Sequence, residues 1–519
     1  MTHRTFGGLG WIGLYVIGLV VCGAAALRIQ SPGYMDADYY YATAQQLIDG
    51  QGLTEPFLWN HLDDPASLPH VSHLYWMPLP SLLSAGGMLL MGANFRAAQF
   101  PFILLAAALP PLAAFFCQRL SRDVGLAWMA GLFAAFPGFF LPFLVTVDSF
   151  AAFAIAGGLS LWLMAISVRH PKLGRWFLTG LLIGVGSLAR ADGLLLLTIG
   201  ALAVVWSGRR RVSGGLLLVL GFLTIMAPWW ARNLAATGTA LNPGSQRLLW
   251  MLSYDDLFAF PASQLTFERW WEAGLQAAAQ ARIEALSTNI QRLVAEGGII
   301  FLAPFMVVGA MLKWQHPFVR LGTLYLTALF IVMTIIFPFV GPRGALFHSM
   351  AAVMPMLWAL APIGIRAGIN WLGARRSWDG EEAWRVLGTS AVVLAVLLTV
   401  GLYANRFYLE GDSWNASAQT YKAVAASISD GGDSVVAVNN PPGFFAYSQI
   451  PAVVIPNGTE NALRAVVDSY AVRWVVLEAN HPQGLNALYS EPESVEWLKL
   501  YGTVSESGGK AVYVLEVAR

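Results

Sequence analysis

Apolar runs close to membrane-spanning length recur along this 519-residue chain and leave few choices of fold. The first is LGWIGLYVIGLVVCGAAAL, residues 9–27. Others lie at 97–118, 123–141, 149–168, 176–190, 192–207, 214–231, 294–312, 320–339, 345–365 and 386–404. A helix of about 20 apolar residues crosses a bilayer. Charged residues make up 12% of the chain and hydrophobic ones 56%, against about 25% charged in soluble domains. The chain therefore reads as a polytopic α-helical membrane protein. Its net charge of +1 gives no reason to expect nucleic acid as a partner. The two cysteines, Cys22 and Cys117, lie in apolar runs, which argues against a disulfide framework. Arg4 and the small residues ending the first run resemble a signal peptide, but the many later runs favour a retained helix.

One further run, MPLPSLLSAGGMLLM at 77–91, is short and carries Pro78 and Pro80. Charge placement tests it. The linkers at 119–123, 169–175, 207–213, 313–320 and 366–385 are basic. If 77–91 does not cross, all of them fall on the side of Arg4, as the positive-inside tendency requires. The expectation is a non-spanning helix at 77–91, about eleven crossings, a cytoplasmic N-terminus and an extracytoplasmic C-terminus in the cell membrane. Residues 1–404 then form the membrane domain, and 28–96, 232–293 and 405–519 face outward. In the last piece, 434–440, 452–458, 473–480 and 511–517 read as strands. Helical patterns at 415–429 and 459–470 separate some of them, so a small α/β domain is expected. NNPPGFFAYSQ, 439–449, reads as a Pro-Gly turn with packed aromatics or as a binding loop.

The polar residues of interest gather at the outer ends of spans. SPGYMDADYYYATAQQL, 31–47, places Asp36 and Asp38 just past the first run. They read either as helix caps or as reactive acids at a membrane surface. Asp148, at the mouth of another apolar helix, allows the same two readings. Between them, WNHLDDPASLPHVSHLYWMP (59–78) supplies His61, Asp63, Asp64, His70 and His73. These donors suit a divalent metal, with no recognised ligand spacing, or a solvated loop; His70 or His73 also suits a phosphate. Arg190 with Asp192, Arg232 with Asn233, and Arg343 with His348 stand at other outer ends. They read as phosphate-binding groups or as snorkelling side chains. Together they describe a cleft suited to a lipid-linked anionic substrate.

DADYYYATAQQLIDGQGL (36–53), HVSHLYWMPLP (70–80), TVDSFAAF (146–153) and GSLARADGLLL (186–196) resemble the GT-C superfamily of integral-membrane glycosyltransferases. The resemblance is to the family 39 type, with protein O-mannosyltransferases and the lipid A aminoarabinose transferase as relatives. It covers roughly the first 240 residues and touches 228–244 and the GPRGALFHS segment (341–349). It implies that Asp36 is the catalytic acid, that Asp148 is the second acid, that Tyr40 and Arg190 fall on family positions, and that Tyr75 and Trp76 match the outer helix. Two departures stand out. Ala37 replaces the second acid of the usual pair, with Asp38 one place later. The phosphate-contacting lysine is absent, leaving His70 or His73 to replace it.

The resemblance further implies a donor sugar on a polyprenyl phosphate and an acceptor that is a glycan, lipid or protein. Inverting attack at the anomeric carbon would use Asp36 as base, with Asp38, Tyr40, His70, His73, Arg190, Arg232, Arg343 and His348 around the substrates. A divalent metal on Asp36, Asp148 or His61 is an option. The rival reading is a non-enzymatic lipid or glycan transporter, or an assembly scaffold. A transporter should carry ionisable groups near span centres, whereas these runs are almost purely apolar.

Overall fold

The computed structural model describes residues 7–170, 172–208, 211–409, 413–428, 434–505 and 509–518. Arg4, used in the topology argument, lies outside them. Among the described residues, seven helices are long and apolar enough to cross a membrane, including Gly8–Arg28, Phe150–Arg169 and Arg211–Thr237. Five more are apolar but shorter, between 10 and 17 residues. The eleven expected runs do not become eleven spanning-length helices. Residues 123–141 divide into Val124–Ala135 and Phe140–Leu144. The 294–312 run starts in a wide turn and is α-helical only over Ala303–Leu312.

Helix Leu79–Met91 has 13 residues and Pro80 in its first turn, where proline is tolerated. At about 1.5 Å per residue it reaches about 20 Å, short of the ~30 Å hydrocarbon core. It packs beside Met35–Ile48 and Phe95–Ala107.

Lipid offers no hydrophobic drive for helix pairing, so spans associate through close fit. Helices Leu173–Ala189 and Arg211–Thr237 meet through glycines on both sides. A Cβ at Gly180 would overlap the Leu218 carbonyl, and one at Gly221 the Phe177 carbonyl. Asn94 and Asp123 start the helices that follow them by accepting from the amides of Ala97 and Leu126, each at 3.0 Å, satisfying otherwise orphaned donors.

The C-terminal part is a sheet flanked by helices. Its strands include β4 (Val435–Val438), β5 (Ala452–Val454), β6 (Val472–Leu477) and β8 (Ala511–Val517). These fall where the apolar strand patterns stand. The sheet also holds β7 (Leu498–Ser505), which sequence patterning misses, and β2 (Phe57–Leu58) from the loop after the first span. Strand order is β2-β5-β4-β6-β8-β7. The first four strands run parallel, and the last two pair antiparallel. A separate ribbon pairs β1 (Thr54–Glu55) with β3 (His70–Val71). Helix Glu460–Tyr470 buries Leu463, Val466 and Val467 on one face of the large sheet. Helix Ser413–Ser427 covers the other with Tyr421 and Val424.

The 439–449 stretch forms a helix, Pro441–Ser448, rather than a turn. Its prolines occupy the first helical positions, where a missing N–H costs nothing. Asn440 accepts from the Gly443 amide at 3.1 Å to start it.

Candidate active site

Helix Met35–Ile48 carries both acids in its first turn. The capping residue is Tyr34, whose side chain makes no cap bond; nor does any side chain cap Phe150–Arg169 behind Asp148. Capping therefore explains none of the three acids. Residues two apart on an α-helix point about 200° apart, and residues four apart nearly coincide. Asp36 and Tyr40 accordingly face one cavity of about 1180 Å³. Asp38 faces away from it. It is 2% exposed and accepts from Asn440 Nδ2 at 2.8 Å. Burial, partly offset by Asn440, pushes its carboxyl up to about 7. Expected at the substrate, Asp38 instead seats the C-terminal part against the back of the helix.

Asp148 is buried behind the lining residues Tyr34 and His348. Its carboxylate accepts the Tyr34 hydroxyl, the Ser149 amide, and Ser149 Oγ at 2.9 Å. His348 Nε2 lies 3.1 Å from Asp148 and 3.7 Å from Asp36. Nδ1 of the same ring meets the Gly344 carbonyl at 2.9 Å. A carbonyl only accepts, so Nδ1 holds a proton. Nε2 then serves the two carboxylates as a second N–H, or offers a lone pair to a cation. Burial would raise Asp148, but His348, Tyr34 and Ser149 overcome that and hold it below the usual carboxylate range. Asp36 goes the other way. Burial, with Asp148 adding to it, pushes it up to about 6 against the pull of His348 and Arg190. The two acids are thus set apart, one firmly ionised and one poised near neutrality.

Asp36, Asp148 and His348 each offer one ligand atom, all within 4.8 Å of one another. Two carboxylates and an imidazole whose other nitrogen is tied to a carbonyl form a donor set that fits a divalent cation. His61 does not join them. It is fully buried, packs on Phe260 and Tyr470, and lies 3.3 Å from the Val454 carbonyl. Burial lowers it to about 4. His348, expected among the substrate contacts, takes its place.

The basic residues divide. Arg190 lines the cavity and forms a two-pronged pair with Asp192, both bonds 3.1 Å, which neutralises it. Asp192 also accepts the Ser349 hydroxyl next to His348. Arg343 lines the cavity, lies 4.9 Å over the Tyr254 ring, and among the described residues has no carboxylate within 4 Å. Arg232 is not at the cavity. It holds the carbonyls of Ser72 and Leu53 at 2.8 and 2.7 Å and so ties down the loop. His70 is likewise withdrawn, paired with Glu55 at 2.9 Å on the small ribbon. His73 lines the cavity between Ser72 and Ser81 hydroxyls at 2.8 and 2.9 Å. Burial and Arg232 lower it to about 3, so it is neutral and offers only a hydrogen bond. Of the phosphate contacts expected, Arg343 alone combines cavity position with an unneutralised charge.

Several lining residues escaped sequence reasoning. Tyr34 stands two residues before Asp36, so its place is open to a reading of the sequence. Trp414 and the Arg292–Glu296 pair come from distant segments and carry no local signal. Trp59 stacks on Trp76 at 3.8 Å beside the cavity, giving it an aromatic wall.

No family model and no curated protein matches the sequence. Solved structures do match the fold. ArnT from Cupriavidus metallidurans in the apo state aligns over 98% of both chains, with TM-score 0.63 and 14% identity. Its complex with undecaprenyl phosphate gives 0.61, at 14% identity and the same coverage. An Archaeoglobus fulgidus oligosaccharyltransferase in complex with Zn and sulfate aligns with TM-score 0.58 and 15% identity, over 96% of this chain and 72% of that one. The chain is a polytopic helical membrane protein that shares the fold of these ArnT and oligosaccharyltransferase structures and carries a small C-terminal sheet.

Proposed function

We propose that the protein is a membrane glycosyltransferase that moves a sugar from a polyprenyl-phosphate carrier to an acceptor at the extracytoplasmic face, with inversion. One observation carries this reading: Asp36, 29% exposed and bracketed by His348 and Asp148, opens onto a large, mostly apolar cavity that also holds Arg343. The ArnT complex with undecaprenyl phosphate supports the donor class.

An acceptor hydroxyl or amine placed beside Asp36 would lose its proton to that carboxylate as it attacks the anomeric carbon. A base near neutrality suits this work better than an ordinary carboxylate, because it is ionised at working pH yet holds a proton well. Tyr34 and Ser149 hold Asp148, Asp148 holds His348, and His348 orients Asp36. On the opposite face of the sugar the lipid phosphate departs, and its growing charge meets Arg343. A divalent cation held by Asp36, Asp148 and His348 would supply positive charge beside the acceptor; the Zn-bound oligosaccharyltransferase is a precedent for the fold.

The test uses purified protein and labelled polyprenyl-phosphate sugars. Wild type is expected to release the lipid phosphate and form product, whereas a transporter or scaffold would leave the donor intact. Asp36→Asn is expected to abolish transfer while the protein still folds and inserts. Full activity in that variant would exclude Asp36 as the base.

A further inference from the structure

The acid helix is held from behind by residues just over 400 positions away, at separations of 401 and 402. On its back face lie Asp38 and, two turns on, Gln45, which are seven residues apart and so share one side. Asn440 donates to Asp38 at 2.8 Å, and Gln45 donates to the Ala446 carbonyl at 3.3 Å. Between these bonds Phe445 and Ala446, both buried, enter the same core as Tyr41, Ala42 and Ala44. Asn440 is doubly used, since its Oδ1 starts the helix that carries Phe445.

The segment leading into the acids is held by the same part of the chain. Asn415 Oδ1 accepts the amides of Gln30 and Ser31 at 2.8 and 3.2 Å, and its Nδ2 donates to the Arg28 carbonyl at 3.1 Å. Trp414 Nε1 donates to the Ser31 carbonyl at 3.2 Å, and Ser31 Oγ donates back to the Trp414 carbonyl at 3.2 Å. Gly33, with φ +94°, lies so close that a Cβ would overlap the indole. The Trp414 ring then meets Tyr34 edge-on at 5.4 Å, and Tyr34 donates to Asp148. The bonds to residues 28–31 fix where the chain enters the 31–38 segment, which carries both Tyr34 and Asp36.

We propose that the C-terminal sheet part is a positioning unit of the site, setting the acid helix through Asn440 on Asp38 and the entering segment through Trp414 and Asn415. Asn440, Trp414 and Asn415 are positioning residues, since they act on the reacting groups through Asp38, Ser31 and Tyr34. This rests on the reading of Asp36 and Asp148 as the reactive acids. A misplacement of about 1 Å at such a group costs up to about 100-fold in rate.

The experiment takes the full-length protein in lipid nanodiscs, with Asn440→Leu, the milder Asn440→Ala, and the swap Asp38→Asn with Asn440→Asp. Lys499→Ala, exposed on β7, is the control. Two readouts are taken: backbone hydrogen exchange over 31–48, and kcat with donor KM for sugar transfer. Asn440→Leu is expected to speed exchange over 31–48 at least tenfold and to lower kcat about tenfold or more, with donor KM within about twofold. The swap, which remakes the bond, is expected to restore both; Lys499→Ala is expected to change neither. Unchanged exchange over 31–48 in Asn440→Leu and Asn440→Ala overturns the proposal. So does a loss of kcat that the swap fails to restore, or an equal loss in the control. If wild type transfers no sugar, the glycosyltransferase reading falls, and the exchange result still decides whether this part holds the acid helix.

Discussion

Replacing Asp148 by asparagine or by alanine should separate two effects that are easily confused: losing a charge and losing an acceptor. The carboxylate is 1% exposed and takes four donors, from Tyr34, the Ser149 amide, Ser149 Oγ and His348 Nε2. Alanine strands all four. Breaking a buried charge pair by removing one partner costs about 3–5 kcal/mol. Asparagine has the same shape. Its Oδ1 still accepts from Ser149, and its Nδ2 faces Tyr34 and His348. His348 already keeps a proton on Nδ1 against the Gly344 carbonyl, so its neutral form presents an Nε2 lone pair to that amide. Exchanging charged for neutral hydrogen bonds should then cost about 1–1.5 kcal/mol. The gap between the variants is about 1.5–4 kcal/mol. Thermal unfolding of the purified protein, followed by tryptophan emission, should place Asp148→Ala clearly below Asp148→Asn and the latter close to wild type. Equal losses in the two would refute the tautomer argument, because they would mean that charge rather than hydrogen-bond satisfaction holds this corner together.

Arg343→Ala should weaken binding of labelled polyprenyl phosphate about 10- to 100-fold, the worth of one or two hydrogen bonds to a charged group, with Arg343→Lys partly restoring it; unchanged affinity would remove Arg343 from the phosphate. Stability should fall as pH rises past neutrality through the His70–Glu55 pair. Although burial opposes it, Glu55 holds His70 above its ordinary value near 6.5, so the pair's contribution is full below that value and is lost as pH rises through the higher folded one. Melting curves at pH 6 and 8.5 should show this slope in wild type and a flatter one in His70→Asn, and the opposite slope would contradict it. Gly221→Ala should cost about 1–3 kcal/mol by forcing a methyl against the Phe177 carbonyl; a variant that melts with wild type would show that the crossing is looser than its geometry.

The membrane spans are legible because bilayer thickness dictates run length, and Asp36 and Asp148 stand in short local patterns. Span count is less legible, since runs such as 123–141 break inside without any charge to mark the break. Asp38 was misplaced although the 200° between it and Asp36 was available to count. Arg190 and Asp192 were each noticed, but their mutual neutralisation depends on side-chain geometry. Strand β7, with five of its eight residues exposed and one buried, has too weak a buried face to announce itself. The His61 and Arg232 errors share one cause: polar residues that hold a loop onto a neighbour look, in sequence, like residues that hold a ligand.

Strand β2 bears on how the protein is made. Phe57 and Leu58 pair in parallel with Ala452 and Val453, so this segment completes its hydrogen bonding only once the chain has grown by the 395 residues that separate Phe57 from Ala452. During translation β2 must wait for its strand partner, and Phe57 for Phe445, while the intervening spans are inserted. Completion of this sheet therefore follows synthesis of the intervening spans, and a ribosome that stops before residue 452 releases a product whose β2 has no partner. The reverse holds for a C-terminal fragment made alone. It would present the bare edge of β5, a ready template for another copy, so attempts to express residues 405–519 separately should yield aggregates unless the 54–60 peptide is supplied alongside.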